Sequence, residues 1–191
     1  MLLIYILAYT GIFLYLLLPI RHKNSKYFFF FLILALTALS GLIYTLILDK
    51  QANNISLLLT IFLPFSLFYE FFKKYLLVIS IICVLLIYPV FQLSPSLCLI
   101  LQYPFDVAVV FILFWQFSKA YLKENIINLF QGSLLLFALS EVLGMLGYVK
   151  NIDADTSVLI NYIAVFLQII IGLFLLIYSE NNPKLRLKKN K

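Results

Sequence analysis

Along this chain apolar residues come in long continuous runs, and each run ends in a short polar or charged cluster. The runs do not alternate with period two, so they predict helices rather than the strands of a barrel. A bilayer core of about 30 Å takes about 20 mostly apolar residues in a helix. Seven stretches meet that requirement: 2–20, 28–48, 55–72, 75–92, 97–118, 126–149 and 157–179. What lies between them is a set of short connectors, followed by a basic tail over 180–191. The expected fold is therefore all-α, a polytopic membrane protein built as one bundle of seven transmembrane helices over 1–179.

Composition supports the same class. Of 191 residues, 64% are hydrophobic and 12% charged, with a mean hydropathy of +1.08. Soluble domains are about 45–50% apolar and about 25% charged, and a domain this size leaves roughly a third of its unfolded surface in water. A soluble enzyme, a disordered chain and a disulfide scaffold are excluded on that basis.

Charge then orients the bundle. Cytoplasmic connectors are enriched in Lys and Arg. With the N-terminus outside and the C-terminus cytoplasmic, Arg21, Lys23, Lys26, Lys73, Lys74, Lys119, Lys123, Lys184, Arg186, Lys188, Lys189 and Lys191 all fall inside. Only Lys50 and Lys150 fall outside, alongside Asp49, Asp153 and Asp155. The first stretch has no basic segment before it and no small-residue cleavage site, so it is expected to be a retained helix, not a secretory signal. The join between the third and fourth stretches is short. A single helix over 55–92 would be about 57 Å long, far beyond the core, so a turn is expected, unwinding Tyr69 to Tyr75.

Inside the stretches there is no Lys, Arg or His beyond the rims, which removes a lysine Schiff base and a histidine metal site. No cofactor and no metal are expected. His22, between Arg21 and Lys23, is taken as part of the cytoplasmic charge signal, and Glu70 as an interfacial partner of Lys73 and Lys74. Two acids remain deep. Asp106 lies nine residues from the outer start of its stretch and Glu141 eight from the outer end of the next, depths of about 13 and 12 Å. A charged carboxylate at that depth is costly, and a second one nearby makes it more so. Asp106 and Glu141 are therefore the leading candidates for a ligand- or proton-binding pair facing a polar interior. Gln102, one turn before Asp106, shares its face. Asn161 and Gln168 join a small or polar stripe with Ala164 and Gly172, while Thr37, Ser40, Gly41 and Tyr44 form another, and Tyr5 and Tyr9 add hydroxyls from the first helix. Together these predict a polar pocket reached from outside.

Other signals carry less. Small residues such as Ser140, Gly144 and Gly147 are how membrane helices approach one another. Cys83 and Cys98 sit at different depths, and Asn54-Ile55-Ser56 matches a glycosylation sequon hard against the membrane. No nucleophile stands beside a base, so an enzyme is not expected, although a lipid enzyme using the two acids is chemically conceivable. The expected partners are the lipid bilayer, anionic lipid at the basic rim and tail, and a protein bound through the cytoplasmic loops at 21–27, 73–74 or 119–125; no nucleic acid is expected. The function expected is a small receptor- or sensor-like protein or accessory subunit, with a compact proton-coupled transporter as the alternative. A composition rich in Ile, Phe, Lys, Asn and Tyr points to a bacterial plasma (inner) membrane.

Overall fold

The computed structural model describes residues 2–48, 52–124, 126–149, 154–180 and 184–186. Asp49, Lys50, Lys150, Asp153, Lys188, Lys189 and Lys191, part of the charge argument, lie outside the described residues. So do the side chains of Tyr5, Asp155, Lys184 and Arg186.

The described chain is helical almost throughout: α1 (Leu2–Arg21), α2 (Phe28–Leu48), α3 (Asn53–Ser66), α4 (Tyr69–Lys74), α5 (Leu76–Phe91), α6 (Pro95–Glu124), α7 (Leu129–Val149) and α8 (Ala154–Ile177). Three segments are long and apolar enough to cross a membrane: Phe28–Ile47, Pro95–Lys123 and Thr156–Ile177. Four shorter apolar helical segments accompany them, Tyr9–Arg21, Asn53–Ser66, Leu76–Phe91 and Leu129–Met145.

Six helices close a ring. α1 packs on α2, α2 on α3, α3 on α6, α6 on α7, α7 on α8, and α8 returns to α1. α5 stands outside, held mainly by α3, and most of its apolar side chains are exposed, Leu77 at 73% and Leu85 at 69% among them. Apolar residues all round a helix need an apolar surround. In lipid, which is as apolar as leucine, ring closure rests on packing and interhelical hydrogen bonds rather than on hydrophobic burial. The α7–α8 seam shows this: a side chain at Gly144 would meet Ala164 Cβ at 3.6 Å. A side chain begun at Gly41, by contrast, would meet no described neighbour within 4 Å, so no close helix approach depends on that glycine.

Several boundaries differ from expectation. The segment expected to unwind between Tyr69 and Tyr75 is instead a helical turn and a half, Tyr69–Lys74, and the breaks fall at Leu67–Phe68 and at Tyr75. Phe68 leaves helical geometry at ψ 74°. α6 runs on through the expected connector to Glu124, 30 residues or about 45 Å at 1.5 Å per residue. Its start is well marked, with Pro95 as first helical residue and Ser94 Oγ accepting from Leu97 N at 3.4 Å. Residues Ile126–Asn128, expected to be helical, form strand β1, which pairs antiparallel with β2 (Lys184–Arg186), register Ile127 to Leu185. Asn128 explains the switch. Its Oδ1 accepts from the backbone of Phe130 and Gln131 (3.1 and 3.3 Å), capping α7, so the helix begins only after it.

The connectors after α1 and α6 lie at one end of the ring, with the C-terminus of α8. There Lys26 sits over the Tyr27 ring and Lys119 over Trp115, at 5.0 and 5.1 Å, while near Glu70 Lys73 and Lys74 sit over Tyr69 and Tyr75. Among the described residues Glu70 forms no ion pair. The aromatic faces take the ammonium groups that it was expected to hold.

Candidate functional site

All six ring helices contribute to one cavity of about 270 Å³ in the half of the ring nearer the N-terminus. Tyr15 comes from α1, Thr37 from α2, Thr60 from α3, Gln102 and Asp106 from α6, Glu141 from α7 and Gln168 from α8. The cavity is the lumen of the ring. Leu34, Leu63 and Met145 supply apolar wall between the polar groups.

The structure thus brings together four of the five residues singled out by sequence: Asp106, Glu141, Gln102 and Gln168. Asn161 is elsewhere. It lies at the α7–α8 seam, its Oδ1 3.9 Å from where a side chain on Gly144 would begin.

Hydrogen bonding is uneven. Tyr15 Oη lies 3.0 Å from Gln168 Oε1 and 3.4 Å from Glu141 Oε1. A phenol carries one proton, so it can serve only one of these acceptors at a time. Gln102 Nε2 donates to the carbonyl of Asn53 at 3.1 Å, tying α6 to the first turn of α3. Thr37 donates to its own helix at Ile33 O, 3.0 Å away. Asp106 is 8% exposed, and its carboxyl has no hydrogen-bond partner among the described residues. Among the described residues no Lys, Arg or His lines the cavity.

Below the carboxyls the lumen narrows to a gap of about 10 Å³ between Phe30, Leu34, Leu63, Val109, Phe137 and Ala138. Asp106 and Glu141 border this gap as well as the cavity. Phe30 and Phe137 are 1% exposed, and Tyr15 meets Phe137 edge-on, ring centres 5.6 Å apart. The carboxyls therefore sit at the floor of the cavity, where an aromatic plug begins.

Tyr15 was missed by sequence reading. The hydroxyls expected from α1 were Tyr5 and Tyr9, but Tyr9 is 46% exposed. Six residues on, Tyr15 lies about 240° further round the helix at 100° per residue, off the stripe those two define. Its hydroxyl, set among apolar residues in the second half of α1, was the available signal. Thr60 and Ser56 were also missed.

At the opposite end, His22 is not the exposed charge expected of it. It is 3% exposed, stacked on Phe31 at 4.8 Å and against Phe130 at 5.2 Å. Its Nε2 lies 2.8 Å from Leu175 O, a carbonyl that can only accept, so this nitrogen carries the proton. Burial, with Arg21 beside it, holds its pKa below the usual histidine range despite Leu175 O and Glu180 pulling the other way. Around it Arg21 caps the C-terminus of α8 at Leu176 O and Ile177 O (3.0 and 3.3 Å), and Ser25 donates to Glu180 at 2.9 Å. Asn54 of the sequon is likewise engaged, donating to Val90 O at 2.7 Å in the last turn of α5 and to Leu93 O at 3.3 Å just beyond it. Cys83 and Cys98 are free thiols. Among the described residues no group of three metal-ligating side chains occurs.

Comparison with known proteins adds no relative: no family model matches the chain, and no characterised protein or solved structure resembles it significantly.

Proposed function

We propose that the chain is a seven-helix membrane protein, N-terminus outside and C-terminus cytoplasmic, that binds a small ligand in the lumen of its helix ring. It acts as a receptor- or sensor-like protein or an accessory subunit in a bacterial inner membrane. One observation carries the reading: a cavity to which every ring helix contributes, with two acids at its floor. Ionisable side chains deep in a membrane characteristically face a cavity and mark a functional pathway. At about 270 Å³ it is just below the usual range of about 300–1,000 Å³ for ligand pockets, which favours a small ligand over a lipid. Occupancy would be passed to a protein partner through the basic rims at 21–27, 73–74 and 119–125, and the aromatic-flanked lysines there fit an interface with anionic lipid.

Substituted-cysteine labelling tests this. In a background lacking Cys83 and Cys98, a small membrane-impermeant thiol reagent added outside should label Thr60→Cys and leave Lys26→Cys untouched. Labelling of Lys26→Cys alone would invert the orientation, and labelling of neither lumen position Thr60→Cys nor Gln168→Cys would remove the open pocket.

The position of Asp106 and Glu141 between cavity and plug favours one second reading, a proton-coupled transporter whose carboxyl pair carries the proton past Phe30 and Phe137. Uptake by proteoliposomes driven by a pH gradient, and abolished in Asp106→Asn, would distinguish it from a sensor.

A further inference from the structure

Resting on the reading of the lumen as a ligand site, we infer that its ligand is a short-chain organic ammonium ion whose N–H groups bridge Asp106 and Glu141. The lumen's described donors are all neutral, and only Ser56, Thr60 and the Gln168 amide nitrogen among them are uncommitted. Tyr15 offers one proton to two acceptors, and the Gln102 amide nitrogen is engaged by Asn53 O. Thr37 gives its proton to Ile33 O. Asp106, nine-tenths buried and facing the cavity, has no hydrogen-bond partner among the described residues.

A buried carboxyl stays ionised only when paired or hydrogen-bonded and otherwise holds a proton, and among the described residues no cationic side chain lines the lumen to pair with it. A primary ammonium supplies the missing elements together: one positive charge and three donors on a single atom, forming charge-assisted hydrogen bonds. An anion would meet two carboxyls, and a neutral alcohol would bring one donor where several acceptors stand open. The remaining wall sets the body of the ligand. Leu34, Leu63 and Met145 are apolar, so a short alkyl chain fits beside them. The volume equals about nine water molecules at about 30 Å³ each, room for a short chain.

The test uses the full chain in nanodiscs and three probes of equal length, n-butylammonium, 1-butanol and butyrate, at matched ionic strength, with thermal unfolding as readout. Butylammonium should raise the unfolding midpoint in a saturable manner, and butanol and butyrate should not. Asp106→Asn should weaken butylammonium by about tenfold or more, with Glu141→Gln as the second variant should the first fail to fold. Equal stabilisation by butanol, or preference for butyrate, would overturn the ammonium assignment and leave the pocket standing. No response to any probe while Thr60→Cys is labelled from outside would do the same. No response together with an unlabelled Thr60→Cys would remove the pocket itself.

Discussion

Two tyrosines, Tyr15 at the cavity floor and Tyr27 in the connector after α1, face the same problem and meet it differently. Tyr27 Oη accepts from Gln131 Nε2 at 3.1 Å and lies 3.3 Å from Gln116 Oε1, to which it donates. Its ring packs on Phe130, 5.7 Å between centres, and burial pushes its pKa above the ordinary tyrosine value. Tyr15 has two acceptors for its single proton and a cavity beside it. The Tyr27 end also packs Leu18, Phe31, Phe130 and Leu134 at no more than 0% exposure each. Dense packing with nearly complete hydrogen bonding fixes one conformation, whereas open volume with acceptors left unpaired awaits a partner. The difference separates a clamp from a site.

The sharpest way to break this contrast is to cut into the clamp. Phe130 is fully buried between His22, Tyr27 and Phe31. Phe130→Ala should cost about 3–5 kcal/mol, read as a large drop in thermal unfolding midpoint in detergent. If the drop is no larger than for a lumen residue, the two ends are not different in kind. Tyr27→Phe probes the same end more gently. It removes the hydroxyl that Gln131 donates to, and Gln131 Oε1 is already without a partner among the described residues. An amide left wholly unpaired should cost about 1–3 kcal/mol.

Acid should act on the clamp through His22. Its folded pKa lies below the unfolded value of about 6.5, so the unfolded chain takes up the proton first. The stability that neutral His22 contributes is complete above that value and is lost as pH falls through the folded pKa. One proton sets an upper slope of about 1.4 kcal/mol per pH unit. Unfolding midpoints between pH 7.5 and 5 should fall less steeply for His22→Asn, which keeps a donor for Leu175 O but does not titrate. Parallel slopes for the two proteins would show that His22 is not the group responsible.

How much of this was legible beforehand follows from how each feature is encoded. Helices are encoded locally, in apolar runs of fixed length, and their positions were read to within a few residues except near β1 and the α3–α5 join. Asp106 and Glu141 stood out because charge is scarce in the runs, and depth arithmetic placed them level. Gln102 and Gln168 followed by helical spacing. What was not legible depends on partners distant in sequence. His22 looks like one more rim charge until Leu175 and Phe130, more than a hundred residues away, bury it. The β1–β2 pairing joins segments nearly sixty residues apart, and no local pattern in either announces it. That α6 lines the ring was partly legible, because Gln102 and Asp106 mark one face of it, whereas α5 is apolar but for Ser80, and nothing local says that it stands outside.

The smallest effect on stability is expected where the functional effect is largest. Asp106 makes no hydrogen bond among the described residues, so Asp106→Asn breaks none and relieves a costly buried acid. Its unfolding midpoint without ligand should lie within about 1 kcal/mol of wild type, or above it, consistent with the usual trade between stability and function at a site. The matching change in the clamp is Gln131→Leu, which trades one unpaired oxygen for the loss of the bond to Tyr27. If Asp106→Asn instead destabilises the protein as much as Tyr27→Phe does, the carboxyl is holding the helices together. The lumen would then be a second clamp rather than a site.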